Sequence, residues 1–419
     1  MSARDGVSAV ASAWYGTAGE QFEQVDGGIC AVQGLRAAGV AAGLKPSGSL
    51  DIAVVDAGRP VDVAVVQTTN QVRAAPVEVT ARHAADGRAR AVVLNAGNAN
   101  SCTGPDGEAI ALDTAHHAAD ALGCDITDVL VCSTGVIGRP LLPQREQLLD
   151  GVAAAIAAAD HTSAAADAAA RAVMTTDTAP KARALRAADG SGSCVVAGFA
   201  KGSGMIAPAM ATMLCVVATD APVAARILQP LVRQAVGATF GRISVDGCQS
   251  TNDAVIVLAT GTAERAPGVS TFTDALTAVL GELATDIVRD GEGASRLVRL
   301  HVTGAVSTDA AVTLGRAIAD SVLVRTAFAG GDPNWGRVLA AMGASSVPFT
   351  PEKVHVRFGP ITVCRFGIGA SFDVGQAEAV LARPEIDVTI DLGLGSGEAT
   401  VLTCDLTHDY VAINAEYTT

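Results

Sequence analysis

Aromatic residues are scarce in this chain of 419 residues: two Trp, three Tyr and nine Phe amount to 3% of it. A core of the size this length allows must therefore be packed from aliphatic side chains, with helices lying close on sheets. Basic residues are also outnumbered, 29 Lys and Arg against 43 Asp and Glu, which leaves a formal net charge of −14. Binding to phosphates needs clustered cations, so the balance argues against a nucleic-acid partner and reads as general solubility. No apolar run approaches a membrane span. The opening "MSARDGVSAVASAWYGTAGE" has early acids and no uninterrupted apolar region, unlike a secretory signal or transit peptide. Residues 1–29 are expected to be an N-terminal extension, and the protein to be cytoplasmic.

Motifs for common cofactors are missing too. The nine cysteines contain no C-x-x-C pair, and an odd count fits reduced thiols better than a disulfide framework. Cys215, inside an apolar run, is assigned to the core. The seven histidines show no metal-ligand spacing, and the adjacent His116 and His117 would face different directions on a helix. No metal and no cofactor is implied. In "KGSG" Lys201 precedes its glycines, the reverse of a phosphate-cradling loop.

What is there is a mixture of strands and helices without a regular βαβ beat. "LDIAVVDAGRPVDVAVVQTTN" shows short β-rich runs broken by Gly and Pro, as expected of paired strands. "ARAVVLNAGNANSCTG" reads as a strand entering an Asn/Gly loop, "GEAIALDTAHHAADALG" as a helix with a closing glycine, and "DVLVCSTGVIG" as a strand and turn. Alanine-rich helices are expected around Gln144–Ala159 and Ser163–Val173. Further helices fall in "AARILQPLVRQAVGATF", "FTDALTAVLGELATDIV" and "DAAVTLGRAIADSV", between strands "DAVIVLAT", "RLVRLHVTG" and "VHVRFG". The end, "EIDVTIDLGLGSGEATVLTCDLT", reads as a hairpin with a glycine-rich turn. The pattern predicts an α+β fold, a layered αββα arrangement in preference to a Rossmann sheet.

One stretch raises a chemical question. In "KGSGMIAPAMATMLCVVATDA" a threonine, Thr212, introduces an apolar strand with no histidine or acid beside it to activate its hydroxyl. Gly202 and Gly204 permit backbone angles closed to other residues, and Pro208 restricts Ala207, so the preceding chain can be held in an unusual path. If the hydroxyl attacks the carbonyl of Ala211, the amide becomes an ester that water cleaves. Thr212 then carries a free α-amine, of ordinary pKa about 7.7–8.0, which can act as base for its own hydroxyl. A strand "MLCVVA" behind it would fix the new terminus.

The stretch "KGSGMIAPAMATML" resembles the cleavage and nucleophile motif of the ornithine acetyltransferase family, also called bifunctional glutamate N-acetyltransferase. The likeness continues in order through "NAGNANSCTG", "STGVIGRPL", "MTTDTAPK", "VDGCQSTND", "DGEGAS", "GGDPNWGRV" and "DLTHDYVAINAEYTT". It implies a precursor that cuts itself between Ala211 and Thr212 into an α chain (30–211) and a β chain (212–419), usually assembled as α2β2, with a smaller C-terminal α/β domain at about 300–419. It implies acetyl transfer from N-acetylornithine to glutamate through an acetyl-threonine ester; some members also take acetyl-CoA. It makes Thr212 the nucleophile and Thr134 and Gly135, expected in a turn after a strand, the oxyanion residues. Thr175, Lys201, Thr212, Glu292, Asn414 and Thr419 become substrate-binding residues, with Thr176, Asp177 and Thr178 shaping the wall; which threonine touches substrate stays open. "GGDPNWGRV" and "DGCQSTND" are assigned mainly to structure. Ser295 and Arg296 depart from the Thr-Lys pair common in the family, which leaves room for another acyl acceptor. A related fold supports self-cleaving aminopeptidases, so hydrolysis is the other enzymatic reading, and an uncut binding protein for acidic amino acids the non-enzymatic one.

Overall fold

The structure, a computed structural model, describes residues 22–207 and 213–416. In chain order its strands are β1 (Glu23–Gln24), β2 (Arg36–Val40), β3 (Ile52–Gln67), β4 (Arg88–Asn98), β5 (Val129–Val136), β6 (Lys181–Asp189), β7 (Gly192–Lys201) and β8 (Leu214–Thr219). They continue with β9 (Ile243–Ser244), β10 (Ala254–Ala259), β11 (Leu297–Ala305), β12 (His355–Phe358), β13 (Ile361–Arg365), β14 (Ile368–Gly369), β15 (Glu385–Asp391) and β16 (Gly397–Cys404). The first sheet runs β1-β6-β7-β8-β10-β3-β4-β5, with β2 also paired to β3. The second runs β14-β13-β12-β15-β11-β16-β9.

The first sheet folds on itself into two layers, and alternation along its strands shows how. Leu214, Val216 and Ala218 of β8 share an inner core with Val55, Val92, Leu94 and Leu130. The intervening Cys215 and Val217 face the helices Ala225–Ala238 and Val269–Arg289. On the opposite outer side, Val54, Val93, Val129 and Val131 face the helices Gly104–Leu122 and Arg145–Ala158. Helix, sheet, sheet and helix are thus stacked in the αββα order expected from the mixed pattern.

β3 is the strand shared by both layers. The Gly-Arg-Pro break does not end it, as the sequence pattern suggested; it bends one continuous strand. Ile52–Asp56 pair with β2 and β4, Asp62–Gln67 with β10, and the register shifts in between. Gly58 takes φ 73 at the bend. The buried Asp56 holds it, accepting from Gly58 N–H at 2.8 Å and pairing with Arg90 at 3.0 Å and with Arg36. Residues expected to belong to an extension enter the fold from Phe22 onward: β1 pairs with β6, and Ile29 is buried.

In the second sheet one face packs on the helices Thr308–Ala319, Val322–Gly330, Trp335–Gly343 and Val374–Leu381 through Val298, Leu300, Ile386, Val388 and Val401. The other face carries Arg299, His301, Asp387 and Thr400. β15 and β16 are not the hairpin that their short glycine-rich connection suggests. β11 lies between them, parallel to β15 and antiparallel to β16. The connection crosses the end of β11, where Leu394 and Gly395 N–H donate to Gly304 O at 2.7 and 2.9 Å. Gly304 takes φ 66, and a side chain there would meet Gly393 N at 2.7 Å, so glycine is needed both for the backbone angle and for the close crossing.

Candidate active site

The strand ends of the first sheet and one turn of the second line a partly open pocket, with a cavity volume of about 70 Å3. Among its lining residues are Thr134, Gly135, Thr175, Lys201, Glu292 and Asn414, which lie up to 280 residues apart in sequence and are brought together by folding. Ala211, Thr212 and Thr419 lie outside the described residues.

Thr134 and Gly135 belong to β5 itself and not to a turn after it. The strand continues because β4 runs alongside, with an irregular register at Gly97 and Asn98. Gly135 takes φ 129, and a Cβ there would lie 2.5 Å from the Gly97 carbonyl carbon. A glycine is needed at this irregularity for both reasons. Asn252 ties the two strand ends together, its side-chain amide donating to Ala99 O at 2.6 Å and Ser133 O at 2.9 Å.

Lys201 ends β7 and is 3% exposed, a buried cation and not a surface charge. Its Nζ donates to Thr175 Oγ1 at 2.8 Å and Thr134 Oγ1 at 3.3 Å, with Asp177 Oδ2 at 3.9 Å. Burial lowers the Lys201 pKa, against the pull of Asp177. Asp177 sits beneath this layer. It pairs with Lys181 at 2.6 Å and accepts Gly202 N–H at 2.7 Å and Thr175 N–H at 3.0 Å. Burial opposes its ionisation, but Lys201, Lys181 and the Gly202 amide prevail and hold its carboxyl down at about 2. Of the threonines, Thr175 and Thr176 line the pocket, and Thr176 shares a 2.6 Å bond with the Ser203 hydroxyl. Asp177 and Thr178 are not wall residues: Asp177 is committed to the lysines, and Thr178 to Asp290.

Glu292 follows the helix Val269–Arg289 in the turn that leads to β11. The turn is pinned by Glu292 N–H donating to Ser203 O at 2.8 Å, and the residue is 9% exposed. Its carboxyl lies so close to Gly204 that a Cβ there would be 2.4 Å from the carboxyl carbon. At Gly204 a larger residue would displace the Glu292 carboxyl from its present place; the unusual angles sit at Gly202, φ 152, and Met205, φ 56. Asn414 projects from the helix His408–Glu416 and donates to Glu292 Oε2 at 2.8 Å. The pocket presents a cation with hydroxyls on one wall and a carboxylate with a carboxamide on another, a combination that suits a small ligand bearing both charges.

Sequence reasoning left out Ser250 and Asn252, which line the pocket, by reading "DGCQSTND" as structural. The available signal was a polar run directly before the wholly apolar β10. Asp246 of the same motif accepts Met205 N–H at 2.6 Å, Ile206 N–H at 2.9 Å and the Tyr410 hydroxyl at 3.2 Å. It thereby clamps the chain just before residue 208 and ties the C-terminal helix to it.

Comparison with known proteins places these observations. The model of the ArgJ family matches residues 36–419. The arginine biosynthesis bifunctional protein ArgJ of Thermobifida fusca is 45% identical over 394 residues, 93% of this chain and 100% of its own. That of Mycobacterium tuberculosis strain H37Rv is 44% identical over 400 residues, 93% of this chain and 96% of its own. Among solved structures, ornithine acetyltransferase of Mycobacterium tuberculosis complexed with ornithine is 45% identical, covering 45% of this chain and 98% of that one with a TM-score of 0.42.

Proposed function

Because the chain belongs to the ArgJ family, we propose that it is an acetyltransferase of arginine biosynthesis that moves an acetyl group from N-acetylornithine to glutamate. The observation that carries this reading is the meeting of Thr134, Gly135, Thr175, Lys201, Glu292 and Asn414 around one pocket. The enzyme forms by self-cleavage between Ala211 and Thr212. Thr212 Oγ attacks the Ala211 carbonyl carbon, the peptide C–N bond breaks as the nitrogen takes a proton, and water hydrolyses the resulting ester. The free α-amine of Thr212 then serves as base for its hydroxyl.

In the transfer, Thr212 Oγ attacks the acetyl carbonyl of N-acetylornithine, ornithine leaves with the proton on its nitrogen, and an acetyl-threonine ester remains. The amine of glutamate attacks that ester in the second half. Thr134 and Gly135 stabilise the oxyanion of both tetrahedral intermediates. Lys201 and Thr175 take the α-carboxylate that both amino acids share; Glu292 with Asn414 takes the amino group, and Thr419 completes the site. No acetyl-CoA is required for the exchange. The two chains remain together as α2β2 in the cytoplasm. No helix among the described residues is long and apolar enough to cross a membrane.

Intact-mass measurement together with a transfer assay tests this. The purified protein should give two polypeptides, the second beginning Thr-Met-Leu, and should release ornithine from N-acetylornithine beyond one equivalent per site only when glutamate is supplied. Thr212→Ala should give one uncut, inactive chain. Full activity from an unbroken wild-type chain would overturn self-cleavage, and equal release without glutamate would make the protein a hydrolase.

A further inference from the structure

Asp253 closes the polar run that begins at Ser250 and immediately precedes β10. It is 0% exposed, and its two carboxyl oxygens are unequally used. Oδ1 accepts the Met213 N–H at 2.9 Å, whereas Oδ2 has no hydrogen-bond partner among the described residues. Buried carboxyl oxygens are ordinarily paired, and the other acids beneath the pocket follow that rule: Asp177 and Asp246 each take several donors.

The surrounding chain gives Asp253 little freedom to turn away. Thr68 N–H donates to Asp253 O at 3.0 Å, and the Thr68 hydroxyl to Ser250 O at 2.8 Å. Ala254 N–H donates to Met213 O at 3.2 Å. Met213 is therefore held on both sides, its N–H by a side chain and its carbonyl by the backbone of β10. It is also the residue next to Thr212. Thr212 is bonded directly to Met213, so the amine that cutting would free belongs to the residue one peptide bond before the amide that Asp253 holds.

We propose that Asp253 is the positioning residue for the α-amine of Thr212, with Oδ2 accepting a hydrogen bond from that amine once the chain is cut. The proposal rests on the self-cleaving reading given above. During transfer the Thr212 O–H bond breaks as Oγ bonds to the acetyl carbon. The proton passes to the amine, and the ammonium returns it to the nitrogen of the departing amino acid. Asp253 neither gains nor loses a proton in this cycle; its carboxylate orients the amine and stabilises the transient ammonium. Burial pushes the Asp253 carboxyl well above its ordinary range, against the Met213 amide and Lys201; the Ser250 hydroxyl also lies near the carboxyl but makes no hydrogen bond of normal geometry to Oδ2. A further donor at Oδ2 is what its charged form lacks.

Asp253→Asn keeps the size and a carbonyl oxygen for Met213 N–H but carries no charge. The full-length variant and wild type should be compared by intact mass, by transfer kinetics across pH, and by the pH dependence of cyanate carbamylation at the Thr212 amine. A carboxylate beside an amine favours the ammonium, so its loss lowers the amine pKa and extends the neutral base to lower pH. The other charged groups around the pocket, Lys201, Glu292, Asp177 and Lys181, are unchanged by the substitution. The expected variant is cut at the same bond, with kcat reduced at least about tenfold and KM for N-acetylornithine within about twofold. The acid limb of kcat/KM and the carbamylation midpoint both fall by about 0.5 pH unit or more. Unchanged pH positions would reduce Asp253 to a structural residue and overturn the proposal, and so would an uncut variant, since the contact forms only after cutting. If Asp253→Asn does not fold, the wild-type carbamylation midpoint decides: above the ordinary range of about 7.7–8.0 supports the contact, and within or below it overturns it. An uncut, active wild type would instead sink the self-cleaving reading beneath it.

Discussion

The two sheets both reach the pocket, but they are anchored there in different ways. The first contributes residues that are themselves parts of strands, Thr134 and Gly135 in β5, paired to β4, and Lys201 at the end of β7, paired to β8. The second reaches the pocket through connections at its ends, Glu292 in the turn before β11 and Asn414 on the helix after β16. That last helix has no buried residue, whereas Thr134 and Lys201 are each 3% exposed. Groups that must hold a reacting atom in place gain from a rigid strand, while groups that read the shape of a ligand can sit on less deeply packed elements.

The largest effect that would test this contrast is expected from Gly135→Ala. Its φ of 129 costs a non-glycine residue about 1–3 kcal/mol, and the 2.5 Å approach to Gly97 adds overpacking of similar size. Thermal unfolding should shift accordingly, and kcat should fall at least about a hundredfold if Thr134 and Gly135 stabilise the oxyanion as proposed. Native stability with native kcat would show that the strand is not the rigid support described here.

Next in size is Lys201→Met, which removes one of the two lysines acting on Asp177. The folded pKa of Asp177 is depressed to about 2, so its stabilising contribution is present above its unfolded value near 3.9 and is lost as pH falls towards 2. That contribution amounts to roughly 2–3 kcal/mol in the wild type. The variant should have less to lose, and its acid unfolding should begin at higher pH; identical acid unfolding curves would remove Lys201 from the cluster.

The smallest effect is expected on the second sheet's side. Asn414→Ala deletes the bond to Glu292 from an exposed helix, so stability should change by less than about 0.5 kcal/mol. KM should rise by up to roughly tenfold, equivalent to about 1.4 kcal/mol, with kcat within about twofold. A kcat loss as large as that of Gly135→Ala would erase the distinction between the two sides.

Much of the fold was legible because local patterns and burial agree. The helix closing at Gly123 and the fully buried β8 each follow from short-range periodicity. The failures share a cause. The Gly-Arg-Pro break in β3 and the Gly-rich connection between β15 and β16 look like local turns in the sequence, but partner strands decide otherwise: β10 and β4 keep β3 continuous, and β11 occupies the space between β15 and β16. Of the candidate site, motif identity pointed to six pocket residues, yet it could not separate Thr175 and Thr176 from Asp177, because which of neighbouring side chains faces a cavity depends on what lies beneath them. Asp253 was passed over for the same reason, since an unpaired oxygen is invisible until its surroundings are in place.

By itself the sequence determined the alternation of helices and strands, the acidic balance, and the order of motifs that marks the family, all of which are properties of neighbouring residues. Only the tertiary structure decided which glycines serve an angle and which serve a close approach, and which acid is committed to lysines and which keeps a free oxygen. Those outcomes depend on contacts between segments far apart in the chain, and burial gives such contacts their energetic weight.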